Sequence, residues 1–212
     1  MWLNIFFIEN YKKIKKNIVL SIPILFIIAT PIHFLYELTG KIAIVGAITP
    51  VNESIAEHFK LATMPVILWW IINYYILKRK VDINFKKWIF SGAISTLMMP
   101  IVITTFYYTY TGALGISSLV LDIFSLLLAL IVGQFLALQL YKKVRITNIK
   151  FIVGILIIII IIACTIVFTF YPPHIPMFKD SITGLYGIWI ILRTTWGEKM
   201  KYLFSGNGEI FT

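Results

Sequence analysis

Phe151-Ile-Val-Gly-Ile-Leu-Ile-Ile-Ile-Ile-Ile-Ile-Ala-Cys-Thr-Ile-Val-Phe168 contains no charged residue. With its flanks, over 150–171, it reaches the ~20 residues that a helix needs to cross ~30 Å of hydrocarbon. It is not alone. Hydrophobic residues make up 59% of the chain, charged residues 13%, and the mean hydropathy is +0.90. A soluble domain carries about 25% charged residues. Four further apolar runs, at about 18–39, 53–77, 88–110 and 114–140, read as spans. The expectation is an all-α, polytopic transmembrane helix bundle of five spans. Residues 183–196 are too short to cross in full, so they read as re-entrant or interfacial, with a sixth crossing as the alternative. Residues 1–17, with Trp2, Ile5, Phe6 and Tyr11 beside four lysines, read as an interfacial segment. Residues 18–188 form the bundle and 189–212 a C-terminal extension. Span one is too long for a signal-peptide core and lacks a small-residue cleavage site, so it is expected to stay in the mature chain.

The cations fix an orientation. Lys12, Lys13, Lys15 and Lys16 precede span one. Lys78, Arg79, Lys80, Lys86 and Lys87 follow span two. Lys142, Lys143, Arg145 and Lys150 follow span four. The loop 40–52 carries only Lys41, and the turn at 111–113 carries none. Cations collect on the cytoplasmic side, so the N-terminus reads as cytoplasmic and 40–52, 111–113 and 172–186 as extracytoplasmic. The net charge of +10 is therefore a topology signal. No phosphate loop, zinc-finger spacing or RNA-binding signature accompanies it, and nucleic acid is excluded as a partner. The single cysteine, Cys164, permits no intrachain disulfide and reads as a small apolar packing residue.

Against this background Pro50-Val-Asn-Glu-Ser-Ile-Ala-Glu-His58 stands out. Ionisable groups near a bilayer core are costly and mark functional sites by default. The orientation brings Asn52, Glu53, Ser54, Glu57 and His58 to the outer end of the bundle. His33 and Glu37 of span one, Asp122 of span four, and His174 and Asp180 after span five join them there. Glu53/Glu57, Ser54/His58 and His33/Glu37 are i,i+4 pairs, which share a helix face. Such pairs on facing helices are how bundles build metal or proton-relay sites. His33, His58 and His174 read as ligands of a metal ion, Zn2+ by ligand type. Glu53, Glu57 and Asp122 read as base or orienting groups, with Asn52 or Ser54 holding water or substrate.

Structural readings compete for the same residues. Ser54-x-x-Glu57 matches a capping box, and Asn52 is an equally good N-cap. Lys60 is placed to pair with Glu57 or Glu53. Tyr107, Tyr108 and Tyr110 read as an aromatic belt, and Asp122 with Ser118 and Ser125 as hydrogen-bonding glue between helices. His174, in Pro172-Pro173-His174-Ile175-Pro176, sits on a rigid extended loop.

Three blocks carry a resemblance: His33-Phe-Leu-Tyr36 with Pro50-Val-Asn-Glu-Ser-Ile-Ala-Glu-His-Phe-Lys60; Tyr108-Thr-Tyr-Thr-Gly112; and Phe168-Thr-Phe-Tyr-Pro-Pro-His-Ile-Pro-Met-Phe-Lys-Asp-Ser-Ile-Thr-Gly-Leu-Tyr-Gly187. Over about residues 18–188 the chain resembles a family of small bacterial membrane proteins known as domain of unknown function 6512. The resemblance implies a bacterial membrane protein and supplies no activity. Ser54-x-x-x-His58 is also similar to the serine/histidine motif of the alkaline ceramidase and progestin-receptor-like intramembrane hydrolases, although the further His-x-x-x-His pair of those proteins is missing here. Three functions remain open from sequence: a metal-dependent hydrolase of a lipid or peptide, a proton-linked transporter of a small solute or ion, and a non-catalytic membrane subunit.

Overall fold

The computed structural model describes residues 2–188, with side chains from Glu9 onward. It is all-helical: α1 (Trp2–Leu38), α2 (Ala43–Gly46), α3 (Ile55–Leu77), α4 (Phe85–Leu114), α5 (Leu119–Lys143) and α6 (Asn148–Phe170), followed by a 3-10 turn at Pro176–Phe178. Five segments are long and apolar enough to cross a membrane: Glu9–Leu38, α3, α4, α5 and α6. The chain is an integral membrane protein built as a five-span bundle. The reading of 183–196 falls mostly outside the described residues.

Helix ends follow the side chains that serve them. Ser54 accepts from Glu57 N at 3.3 Å, Asn84 from Lys87 N at 3.0 Å and Thr147 from Lys150 N at 3.3 Å. Each satisfies one of the amides that a helix start leaves unpaired. Two boundaries differ from the sequence reading. Helix α1 runs unbroken from the lysine-rich segment into the span. The break expected at 111–113 instead falls at Gly115, whose φ of +67° terminates α4 in the left-handed conformation.

The α4 helix packs against α3, α5 and α6, and α1 packs on α3 and α5. Small residues set the α4–α5 distance. Ala129, Gly133 and Ala137 recur every four residues and are buried, and Gly133 faces buried Ser95 and Met99. A Cβ on Gly133 would lie 2.9 Å from the Ser95 carbonyl oxygen and closer still to Met99. Close backbone approach of this kind is how spanning helices associate where lipid removes the hydrophobic drive. Ile14, Ile18, Ile22, Leu25 and Ala29 form the buried stripe of α1. Its period continues into His33 and buried Tyr36, which turns His33 toward the other helices.

One end of the bundle holds the ends of α1, α4 and α6, the starts of α3 and α5, and the loops 39–54 and 171–188. A buried ammonium ties it together. Lys60 is 1% exposed. Its Nζ donates to Glu57 Oε2 at 2.6 Å, Thr169 Oγ1 at 2.6 Å, Gly46 O at 2.7 Å and Thr49 O at 3.2 Å. Glu57 Oε2 also accepts from Val51 N at 2.9 Å. Loop 39–54, α3 and α6 thus meet at one charge. Removing one partner of such a pair leaves a buried charge uncompensated, which costs about 3–5 kcal/mol. Lys60→Met is expected to lower unfolding stability in detergent by that order, and Lys60→Met/Glu57→Leu to recover part of it. A double variant no more stable than Lys60→Met would contradict this account.

Candidate metal-binding site

Ser54 fixes where the site residues fall. Because it is the N-cap, α3 begins at Ile55 and Glu53 lies in the turn before the helix. The expected i,i+4 face of Glu53 and Glu57 does not form. Glu57 turns inward to Lys60, as described above, and Glu53 turns the other way. Its Oε2 lies 3.4 Å from His58 Nε2 and 3.6 Å from His33 Nε2. One ligand atom from each of His33, Glu53 and His58 lies within 4.8 Å of the others, and the two rings are 5.3 Å apart, edge to face. Two ligand atoms on a tetrahedral ion with ~2.0–2.1 Å bonds are about 3.3 Å apart. The group could hold a metal ion after small movements of its side chains.

The proton on His58 sharpens this geometry. His58 Nδ1 is 2.7 Å from Ser54 O. A carbonyl cannot donate, so Nδ1 carries the hydrogen. In a neutral ring the lone pair is then on Nε2, facing the Glu53 carboxylate acceptor to acceptor. A cation between them, metal or proton, removes the conflict. A backbone carbonyl on the second nitrogen is also the usual way a ligating histidine is oriented.

Glu53 is held from the opposite side of the chain. Asp180 is buried. Its Oδ1 accepts from Glu53 N at 3.0 Å, and its Oδ2 accepts from Thr183 N and Thr183 Oγ1. Ser181 Oγ donates to Glu53 O at 3.1 Å. The loop after α6 therefore fixes the backbone of Glu53, 127 residues away in sequence.

These groups border a cavity of about 820 Å³. His33 lines it from α1, Glu53 from the turn before α3, His58 from α3, Asp122 and Ser125 from α5, and Tyr107 from α4. Lys179, Asp180, Ser181 and Thr183 line it from the loop, over apolar Leu61, Ile103 and Leu126. Asp122 Oδ1 accepts from Tyr110 at 2.6 Å, which joins α4 to α5.

Of the residues singled out in the sequence, the structure gathers His33, Glu53, His58 and Asp122 around one cavity. Tyr107, Ser118, Ser125 and Asp180 also line it, and the rest lie elsewhere. His174 stacks on Tyr186, ring centres 4.7 Å apart, and lies outside the His33–Glu53–His58 group. Glu57 is spent on Lys60. Ser54 is buried as the N-cap, and Asn52 Oδ1 accepts from Ser54 N at 2.9 Å. Glu37 pairs with Lys41 at 3.5 Å rather than with His33. Of the three tyrosines, Tyr110 is buried, Tyr107 lines the cavity, and Tyr108 is exposed in the manner of a belt residue. The sequence reading gave no role to Lys179, nor to Asp180 as the clamp on Glu53. The one signal was their position in the third block of the family resemblance.

The His33 imidazole, and then that of His58, beside Glu53 hold its carboxyl well below its ordinary value of 4.5. A carboxyl lowered in the native state stabilises the fold above its unfolded value, and loses that contribution as pH falls toward the native one. The difference in unfolding temperature between wild type and Glu53→Gln should therefore narrow as pH drops below 4.5. A gap unchanged down to about pH 3 would contradict the coupling.

No curated protein and no solved structure matches the chain. The likeness to ceramidase-type hydrolases finds no support there, and Ser54, which carried it, is spent as an N-cap. A family model, described as a family of unknown function (DUF6512), matches residues 7–188, and the chain belongs to that family.

Proposed function

We propose that this is a metal-dependent intramembrane hydrolase of the bacterial cytoplasmic membrane. Its N-terminus is cytoplasmic and its cavity opens on the extracytoplasmic side. The lysine-rich end of the bundle, opposite the cavity, supports the orientation. The observation that carries the chemistry is Glu53 Oε2 between two histidine nitrogens at 3.4 and 3.6 Å, in the wall of a cavity.

Two histidines and one glutamate form a catalytic zinc set that leaves a position open for water. The sequence reading used Glu53 as a base and His174 as the third ligand. The geometry favours Glu53 itself as the third ligand. Zinc bound here would lower the pKa of its water to about 7. Asp122, on the α5 wall and already oriented by Tyr110, is the remaining cavity carboxylate not held by the chain's own amides. It takes the proton of the attacking water and returns it to the leaving group. The substrate is a lipid or peptide that reaches the cavity from the membrane side.

Metal analysis of freshly purified protein tests this. Wild type and His174→Ala should carry stoichiometric zinc, and His58→Ala and Glu53→Gln should lose it. Asp122→Asn should keep the metal and lose about 100-fold or more in hydrolysis. Wild-type protein without any transition metal would overturn the metal reading. The same acceptor-to-acceptor geometry would then belong to a proton on His58, the arrangement a proton-linked transporter uses.

A further inference from the structure

The cavity wall is incomplete on its α5 side. Leu119 and Ile123, one turn apart, both line the cavity, yet they are 74% and 48% exposed. They open a helix that is long and apolar enough to cross the membrane. Their exposed faces therefore meet lipid, and the cavity is continuous with the bilayer past them. The floor at Leu126 lies about 10 Å deeper at 1.5 Å per residue, within the hydrocarbon layer. An extended peptide placed there would bring backbone amides that Leu61, Ile103 and Leu126 cannot pair, and an unpaired amide is costly in such surroundings. An acyl chain brings none.

The mouth has the opposite character. Lys179 lines it beside Ser181 and Thr183, and among the described residues its ammonium has no carboxylate partner. Among the described residues it is the one lysine or arginine in the cavity lining. A cation over an apolar floor matches a phosphate joined to a hydrocarbon chain.

We propose that the cavity takes an anionic phospholipid directly from the bilayer, with its acyl chain leaving past Leu119 and Ile123, its phosphate at Lys179 and its headgroup ester toward His33, Glu53 and His58. This names the substrate class of the hydrolase reading above and rests on it.

The test uses full-length protein in nanodiscs containing phosphatidylglycerol with a photoactivatable acyl chain. Crosslinks are expected to concentrate on Leu119–Leu126 over the lipid-facing surface of α6. Unlabelled phosphatidylglycerol should compete, and phosphatidylcholine and soluble glycerol phosphate should not. Lys179→Gln should weaken labelling about tenfold, the scale of one charge-assisted hydrogen bond, and Ile123→Trp should block it. Crosslinks spread evenly over α5 and α6 would overturn the proposal. So would equal competition by phosphatidylcholine, or competition by glycerol phosphate alone, which would identify a soluble phosphate ester instead. The wild-type competition decides the matter even if a variant fails to fold. Zinc measured in the same samples separates the two readings. Zinc without selective labelling removes the lipid and leaves the metal site standing. Selective labelling without zinc removes the hydrolase and leaves a lipid-binding cavity.

Discussion

A lysine ammonium buried in a membrane bundle has to be surrounded by acceptors, and much of this protein's arrangement follows from Lys60. Its four oxygens come from the loop 39–54, from α3 and from α6. None can be supplied by a neighbour in sequence alone except Glu57. Loop 39–54 must therefore fold back over the bundle end until Gly46 and Thr49 present carbonyls to Nζ. Gly46 is needed for that approach, since a Cβ there would meet Val51, Tyr36 and Ile188. Once the loop is seated, Val51 N reaches Glu57, Ser54 caps α3, and Glu53 is left in the turn outside the helix. The position of the candidate ligand is thus a consequence of how a structural charge is satisfied.

The two glutamates of one short segment show how environment divides roles. Glu57 is 6% exposed and locked to an ammonium and an amide. Exchanging those partners for a substrate would strand Lys60 in the interior. Glu53 has about a third of its side chain exposed and faces two imidazoles at distances longer than a direct hydrogen bond. Its backbone is fixed by Asp180 and Ser181 while its carboxylate remains free to change partners. Preorganised backbone with an exchangeable carboxylate is what a ligand to a metal requires.

The spans were legible because a bilayer imposes one length and one composition, and runs such as 151–168 meet both. That the polar residues gather at the bundle end away from the cation-rich loops was legible from lysine placement. Helix boundaries were less so. The stop of α4 depends on the backbone conformation of Gly115 rather than Gly112, and composition does not distinguish the two. At the site, His33, His58 and Asp122 were legible as rare polar groups in apolar surroundings. The separation of Glu53 from Glu57 was not, because it turns on whether Asn52 or Ser54 caps α3. Both are good caps in sequence. Asn52 instead closes the turn onto Ser54 N, and Ser54 takes the Glu57 amide. His174 lies outside the group because its loop folds onto Tyr186, a contact between residues twelve apart on an irregular segment that no periodicity describes.

The loop that carries His174 nonetheless belongs to the site through Asp180. A buried carboxylate that accepts from Glu53, Ile182 and Thr183 amides ties the shape of residues 180–184 to the position of Glu53. Lys179, one residue earlier, faces the cavity and is paired antiparallel with Tyr186 through an isolated bridge. Any movement of this loop that shifts Lys179 must therefore also pull on the turn holding Glu53. A charged group bound at Lys179 would act on the same loop that positions Glu53. A cavity built only for structural packing would have no need to join a surface cation to an exchangeable carboxylate in this way.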